Sequence, residues 1–266
     1  MTRLIHLSDL HFGRTAPELL EPLFAEVDRL RPDAVVISGD LTQRARHGQF
    51  AEAAAFIARL QTPVLSVPGN HDMPLGNLFL RVFAPFHRFR RYINPDLQPV
   101  LRLPDAVVVG VNTANPLAWK QGKITTAQLQ HVTAAFRDAG RRARIVVMHH
   151  PLEHLPGEEQ WLMQGATQAL HDLPQTGAEV VLSGHIHVSH AGPFTAAPGL
   201  LFVQAGTGLS TRRRTERNAF NVLDVSSDRI GVHTILADPS GTFRETRTLQ
   251  FQRKDRLWHR AAQLPR

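Results

Sequence analysis

The chain has no cysteine, only three lysines and one tyrosine among its 266 residues, and no apolar run long enough to span a bilayer. Without cysteine there are no disulfides, no thiol nucleophile and no thiolate metal ligand. The opening Met1-Thr2-Arg3-Leu4-Ile5-His6 is similar to the start of a secretion signal, but Asp9 and His11 interrupt any apolar core at once, so a cytoplasmic location is expected. Internal repeats and low-complexity linkers are also missing. The balance of charge is one-sided: the formal net charge is +7, carried almost wholly by arginine, since only Lys120, Lys123 and Lys254 are lysine.

With 42% hydrophobic residues the chain can bury a full core, and it reads as one domain over 1–251 followed by a loosely attached basic tail, 252–266. Five short β-rich runs, Leu4–Leu7, Ala34–Ile37, Val64–Val67, Ile145–Met148 and Val180–Leu182, read as buried strands. Apolar spacing predicts helices over Pro17–Leu30, Gln49–Leu60 and Thr125–Arg137, the last capped by Thr125 or Thr126. The segment 73–99, aromatic and punctuated by proline, reads as a short helix and loop capping the site mouth. After His187 only strand-like runs remain, over 201–204, 219–225, 230–236 and 242–251. A βαβαβ first half and a β-rich ending predict an α/β fold of two packed mixed sheets flanked by helices, a four-layer αββα sandwich.

Ligand-type side chains begin where these strands end. The blocks are Asp9-Leu10-His11, Gly39-Asp40, Gly69-Asn70-His71-Asp72, His149-His150 and Gly184-His185-Ile186-His187. The carboxyl ends of strands form the crevice of an open α/β sheet, so blocks distant in sequence can converge there. Asp, Asn and His are oxygen and nitrogen donors suited to Mn, Fe, Zn or Co. Asp9 and His11 can chelate one ion, His185 and His187 have the same spacing, and the lone carboxylate of Asp40 is a natural bridge between two cations. Two ions about 3.5–4 Å apart can share a hydroxide and clamp both oxygens of an in-line displacement at phosphorus.

The ordered set D-x-H, G-D, G-N-H-D, H-H-P and G-H-x-H resembles the calcineurin-like metallophosphoesterase superfamily over residues 4 to 190. The resemblance implies two divalent or trivalent ions, Mn, Fe or Zn. It gives one ion the ligands Asp9, His11, Asp40 and His187, and the other Asp40, Asn70, His149 and His185. It sets His71 against the substrate phosphate as a charge stabiliser or proton donor, with Asp72 as the catalytic partner that orients His71. His149, which directly follows its strand, takes the ligand role ahead of His150.

Within the superfamily, Leu7-Ser8-Asp9-Leu10-His11-Phe12-Gly13, Gly39-Asp40-Leu41-Thr42 and Met148-His149-His150-Pro151 are most similar to class III cyclic nucleotide phosphodiesterases and their glycerophosphodiesterase relatives. Gly206-Thr207-Gly208-Leu209-Ser210 resembles their loop after the site. The resemblance implies a phosphodiesterase for a small phosphodiester, with Asn112, His150, Thr207 and Arg212 as candidate substrate contacts. A nucleic acid strand or a nucleotide-sugar lipid pyrophosphate is the alternative substrate, and a scaffold without ligands is opposed by the filled motif positions. Two basic clusters, Phe86-His87-Arg88-Phe89-Arg90-Arg91-Tyr92 and Arg212-Arg213-Arg214 with Arg217, could grip nucleic acid, meet an anionic membrane peripherally, or simply face solvent. The protein is expected to be a monomer or homodimer with no transmembrane segment.

Overall fold

A computed structural model describes residues 1–155, 162–212 and 215–261. The strands are β1 (Thr2–Leu7), β2 (Ala34–Ile37), β3 (Val64–Ser66), β4 (Val100–Arg102), β5 (Ala106–Gly110), β6 (Ala143–Val147), β7 (Val180–Ser183), β8 (His190–Pro193), β9 (Leu201–Gln204), β10 (Ala219–Val225), β11 (Arg229–Ala237), β12 (Phe243–Lys254) and β13 (Leu257–Arg260). The helices are α1 (Leu20–Leu30), α2 (His47–Arg59), α3 (Leu78–Phe83), α4 (His87–Tyr92), α5 (Thr126–Phe136) and α6 (Ala166–Asp172). The strands form two mixed sheets, ordered β13-β12-β11-β10-β1-β2-β3 and β4-β5-β6-β7-β9-β8.

The period-2 alternation of each strand explains the four layers. In β1 and β2, Ile5, Leu7, Val35 and Ile37 meet Leu23, Phe24 and Val27 of α1 and Phe50 and Phe56 of α2. Their neighbours Leu4, Ala34 and Val36 point the other way, into an apolar layer shared with Val108, Ile145, Val147 and Leu182 of the second sheet. Val107, Val109, Val146 and Val181 then face Val132 and Phe136 of α5 and Leu170 of α6. Strands buried on both faces carry apolar residues at every position, which is why their runs are continuous in the sequence. Thr125 caps α5, its hydroxyl accepting from Gln128 N while Gln128 Oε1 accepts from Thr125 N. Among the described residues no helix is long and apolar enough to cross a membrane.

Three expectations need correction. The tail does not hang loose from residue 252: β12 runs to Lys254, and β13 adds an edge strand whose Trp258 is buried and donates its indole N–H to Glu179 O at 2.9 Å. The short charged run 252–260 hid this, because an edge strand exposes one face and keeps polar residues there. Residues 262–266 lie outside the described residues. The segment 73–99 holds two short helices rather than one, and α4 packs on α2, with Phe89 buried at 6.4 Å from Phe50 and Tyr92 stacked on Phe50 at 6.2 Å. Of the aromatics in the first basic cluster, Phe89 is therefore a core residue, and Phe86 and Tyr92 pack half-buried against that core. Finally, α6 and β8 are elements that the sequence pattern did not announce.

Candidate metal centre

Backbone hydrogen bonds join the loop that leaves β1 to the loop that leaves β2, and the loop that leaves β6 to the loop that leaves β7, while the side chains of Asp40 and Asp72 tie in the loop after β3. Asp9 N donates to Gly39 O (3.1 Å), His11 N to Asp40 O (3.0 Å) and Gly184 N to His149 O (3.1 Å). Their turns are tight enough that Asp9, His11, Asp40, His185 and His187 all adopt left-handed backbone, with φ between 50° and 77°. That conformation costs a non-glycine residue about 1 kcal/mol or more, and persists only where surrounding structure fixes it. Five of the nine such residues in the described chain are candidate ligands.

Two groups of donors result. In the first, Asp9 Oδ1 is buried without a hydrogen bond of good geometry, and imidazole nitrogens face it: His187 Nε2 at 3.0 Å and His11 Nε2 at 3.6 Å. In the second, His149 Nε2 lies 3.2 Å from Asn70 Oδ1 and 3.2 Å from His185 Nδ1. Asp40 stands between them: its Oδ2 is 3.8 Å from His11 Nε2 and 3.4 Å from His149 Nε2, while its Oδ1 is held by His71 N at 2.8 Å. Nitrogen and oxygen donors crowded in this way, several of them buried, fit divalent cations.

Outer contacts aim these donors. Asp9 Oδ2 accepts from Ser8 Oγ (2.6 Å) and His185 N (3.0 Å), which leaves Oδ1 for an ion. His149 donates Nδ1–H to Ser38 O (2.8 Å) and His187 donates Nδ1–H to Arg212 O (2.9 Å), so in each the Nε2 lone pair points inward. Ser8, Ser38 and Gln43 escaped sequence reasoning. The two serines immediately precede the turns that bear Asp9 and Asp40, and that adjacency is the one signal they offered.

The electrostatics suit metal binding. Burial holds the imidazoles of His11 and His185 down to about 4 and about 3, and so neutral. Burial opposes charge on Asp9 and Asp40 too, yet the surrounding imidazoles outweigh it and keep both carboxyls below the usual range. Burial likewise acts against charge on His149, but Asp40 and Asp9 bring it up to about 9.

His71 Nδ1 donates to Gln43 O at 2.8 Å, and its Nε2 lies 3.1 Å from Arg212 Nη1 at the mouth of the site. Asp72 does not orient His71. Its oxygens accept from Leu41 N (3.1 Å), Thr42 N (2.8 Å), Thr42 Oγ1 (3.0 Å) and Gly69 N (3.0 Å), so it ties the loop after β2 to the loop after β3. Burial, then the nearby Asp40, push its carboxyl up to about 7.

Of the candidate substrate contacts, Arg212 alone reaches His71. His150 is buried beside His149 and His185 and offers a nitrogen to the same cluster, its Nδ1 2.9 Å from Thr113 Oγ1 and its Nε2 unpaired. Asn112 serves its own turn, accepting from Ala114 N at 3.0 Å, and lines a separate open cavity of about 740 Å³ with Arg90, Lys123 and Gln128. Thr207 is buried with an unpaired hydroxyl and is not grouped with these residues. Arg213 and Arg214 lie outside the described residues.

An αββα sandwich with nitrogen and oxygen donors gathered at its strand ends defines a metallophosphoesterase-type hydrolase. The calcineurin-like phosphoesterase profile matches residues 2–189, and the chain belongs to that family. It is 30% identical over 170 residues to a glycerophosphodiester phosphodiesterase of Enterobacter lignolyticus (strain SCF1), a match spanning 56% of each chain, so it covers just over half the length of that relative. It is 26% identical over 201 residues to the 3',5'-cyclic adenosine monophosphate phosphodiesterase of Escherichia coli (strain K12), covering 70% of this chain and 69% of the relative. A dimetal phosphatase from Danio rerio superposes with a TM-score of 0.66 at 13% identity, covering 94% of this chain and 98% of that one, a likeness of fold.

Proposed function

We propose that the chain is a binuclear-metal-dependent phosphodiesterase that hydrolyses a small phosphodiester, a 3',5'-cyclic nucleotide or a glycerophosphodiester. The observation that carries this reading is Asp40 Oδ2, set between the two donor groups at 3.8 Å from His11 Nε2 and 3.4 Å from His149 Nε2. Asp9, His11, Asp40 and His187 would hold one ion, and Asp40, Asn70, His149 and His185 the other, with Mn, Fe or Zn suited to the donors. When bound, the two ions supply Lewis-acid stabilisation to phosphoryl oxygens and a nucleophile at neutral pH.

The chain's own residues do the rest. Arg212 presents a guanidinium at the mouth, where it meets the single negative charge of a diester. As Arg212 turns to the phosphate, it frees His71 Nε2, which it contacts at 3.1 Å in the structure. The Gln43 carbonyl fixes His71 Nδ1 as a donor, so Nε2, once released by Arg212 and protonated from solvent, is the atom that gives its proton to the departing oxygen. Asp72 keeps the loops of Asp40 and Asn70 in register. The substrates named for the two relatives support the choice of small diesters.

The test is turnover of the Mn-reconstituted protein on a cyclic nucleotide, a glycerophosphodiester, a chromogenic diester, a chromogenic monoester, a nucleotide-sugar pyrophosphate and a single-stranded oligonucleotide. Preference for one of the two small diesters, lost in Asp40→Ala together with metal pairing, is expected. Turnover confined to the monoester, the pyrophosphate or the oligonucleotide would overturn the reading, as would an active Asp40→Ala.

A further inference from the structure

Nine large apolar side chains stand exposed among the described residues, and six of them, Leu78, Phe79, Val82, Phe83, Leu117 and Trp119, belong to α3 and the loop beside it. Phe79 and Phe83, 70% and 73% exposed, lie ring to ring at 4.7 Å. Arg81 turns inward from the same helix and donates to Pro116 O (2.8 Å) and Ala118 O (2.5 Å), which fixes Leu117 against the helix, and its guanidinium sits 5.0 Å from the Trp119 ring. Single exposed apolar residues are ordinary, whereas a concentration of six on one fixed rim marks a contact surface.

The surroundings are strongly basic, with Asp96 an acidic residue at their border in the cavity that Arg90, Pro116 and Lys123 line. Segments 41–51, 73–95 and 112–126 build this face and its rim, and they contain eight arginines and lysines and no aspartate or glutamate. Arg44, Arg46 and Arg88 line one pocket of about 460 Å³ beside Leu80, and Arg88 Nε is buried with no acceptor. Guanidinium groups converging on one pocket suit phosphate oxygens, which they engage in forked geometry. A second copy of the chain would set the same cations against each other, a like-charge contact that opposes self-association. A surface of anionic phospholipid answers both features, since Phe and Trp enter the interface while arginines meet phosphate.

We propose that the α3 face docks the protein on an anionic phospholipid bilayer. The loop that carries Arg44 and Arg46 also carries Gln43, whose carbonyl holds His71, so docking brings the mouth of the metal centre to the lipid–water boundary.

The test is co-sedimentation of the full chain with vesicles of phosphatidylcholine alone and of phosphatidylcholine with about one third phosphatidylglycerol, at low and high salt. Binding is expected only to the anionic vesicles, weakening as salt rises. The double variants Phe79→Ser/Phe83→Ser and Arg44→Ala/Arg46→Ala should each bind at least about tenfold more weakly, while turnover of a soluble chromogenic diester stays at the parent value. Equal binding to both vesicle types, no binding, or variants that bind like the parent would overturn the proposal. So would a dimer in sedimentation that Phe79→Ser/Phe83→Ser converts to monomer, since the face would then belong to a second copy.

Discussion

Gly184→Ala tests whether Asp9 is a metal ligand, because one added methyl acts on Ser8 and on the carboxylate that Ser8 holds. A Cβ at Gly184 would lie 1.8 Å from Ser8 Oγ and 2.7 Å from Asp9 Oδ2, where ordinary contact begins at 3.4 Å. Ser8 must recede by about 1.5 Å, taking with it the 2.6 Å hydrogen bond that holds Asp9 Oδ2. Overpacking of this kind costs about 1–3 kcal/mol, which lowers the melting temperature of a domain this size by about 3–10 °C. Ligand distances tolerate only about 0.2 Å, and disturbing the group that orients a ligand typically weakens metal binding about 10- to 100-fold. The assay is calorimetric titration of Mn into the metal-stripped protein, paired with its metal-free melting temperature. Gly48→Ala is the control, for nothing lies within 4 Å of its Cβ and it should bind Mn like the parent. The reasoning is refuted if Gly184→Ala melts lower, as expected, yet binds Mn with parental affinity.

Three further outcomes follow from the same geometry. Asp72→Ala strands three backbone N–H groups, partly offset by removing a carboxyl that burial disfavours, so urea denaturation should show a loss of about 1–3 kcal/mol together with weaker metal binding; a change in turnover alone would mean that Asp72 acts through His71 after all. Trp258→Ala should cost about 3–5 kcal/mol in the same denaturation experiment while leaving turnover per folded molecule intact, and a loss under about 0.5 kcal/mol would restore the loose tail. In the metal-free fold His149 titrates at about 9 against an ordinary 6.5, so its proton stabilises that fold fully below 6.5 and the contribution is lost as pH rises through 9. An ion needs the lone pair that this proton occupies, so Mn affinity should climb with pH up to about 9 and then level off; affinity independent of pH between 6.5 and 9 would contradict a ligand role for His149.

How much of this was legible beforehand differs by layer. The buried parallel strands announced themselves because burial on both faces leaves no polar position in Ala34–Ile37 or in residues 180–182. The candidate ligands were legible for a related reason: chemistry-bearing residues placed directly after such runs have one crevice to enter, so order along the chain mapped onto position in space. Edge and covering elements were not legible. In β13 only Trp258 faces inward, and in α4 the inward Phe89 is masked by the arginines around it.

The sequence by itself determined the layered fold class, the donor chemistry and the set of candidate side chains at strand ends, because periodicity and residue type are local properties. Tertiary structure alone decided which oxygen of Asp40 faces the donors, that Asp72 binds backbone rather than His71, that Asn112 belongs to another cavity, and that Gln43 and Arg212 frame His71. Those are outcomes of loops from different strands meeting within hydrogen-bond distance, and no spacing along one chain encodes which atom of a side chain its distant neighbour will occupy.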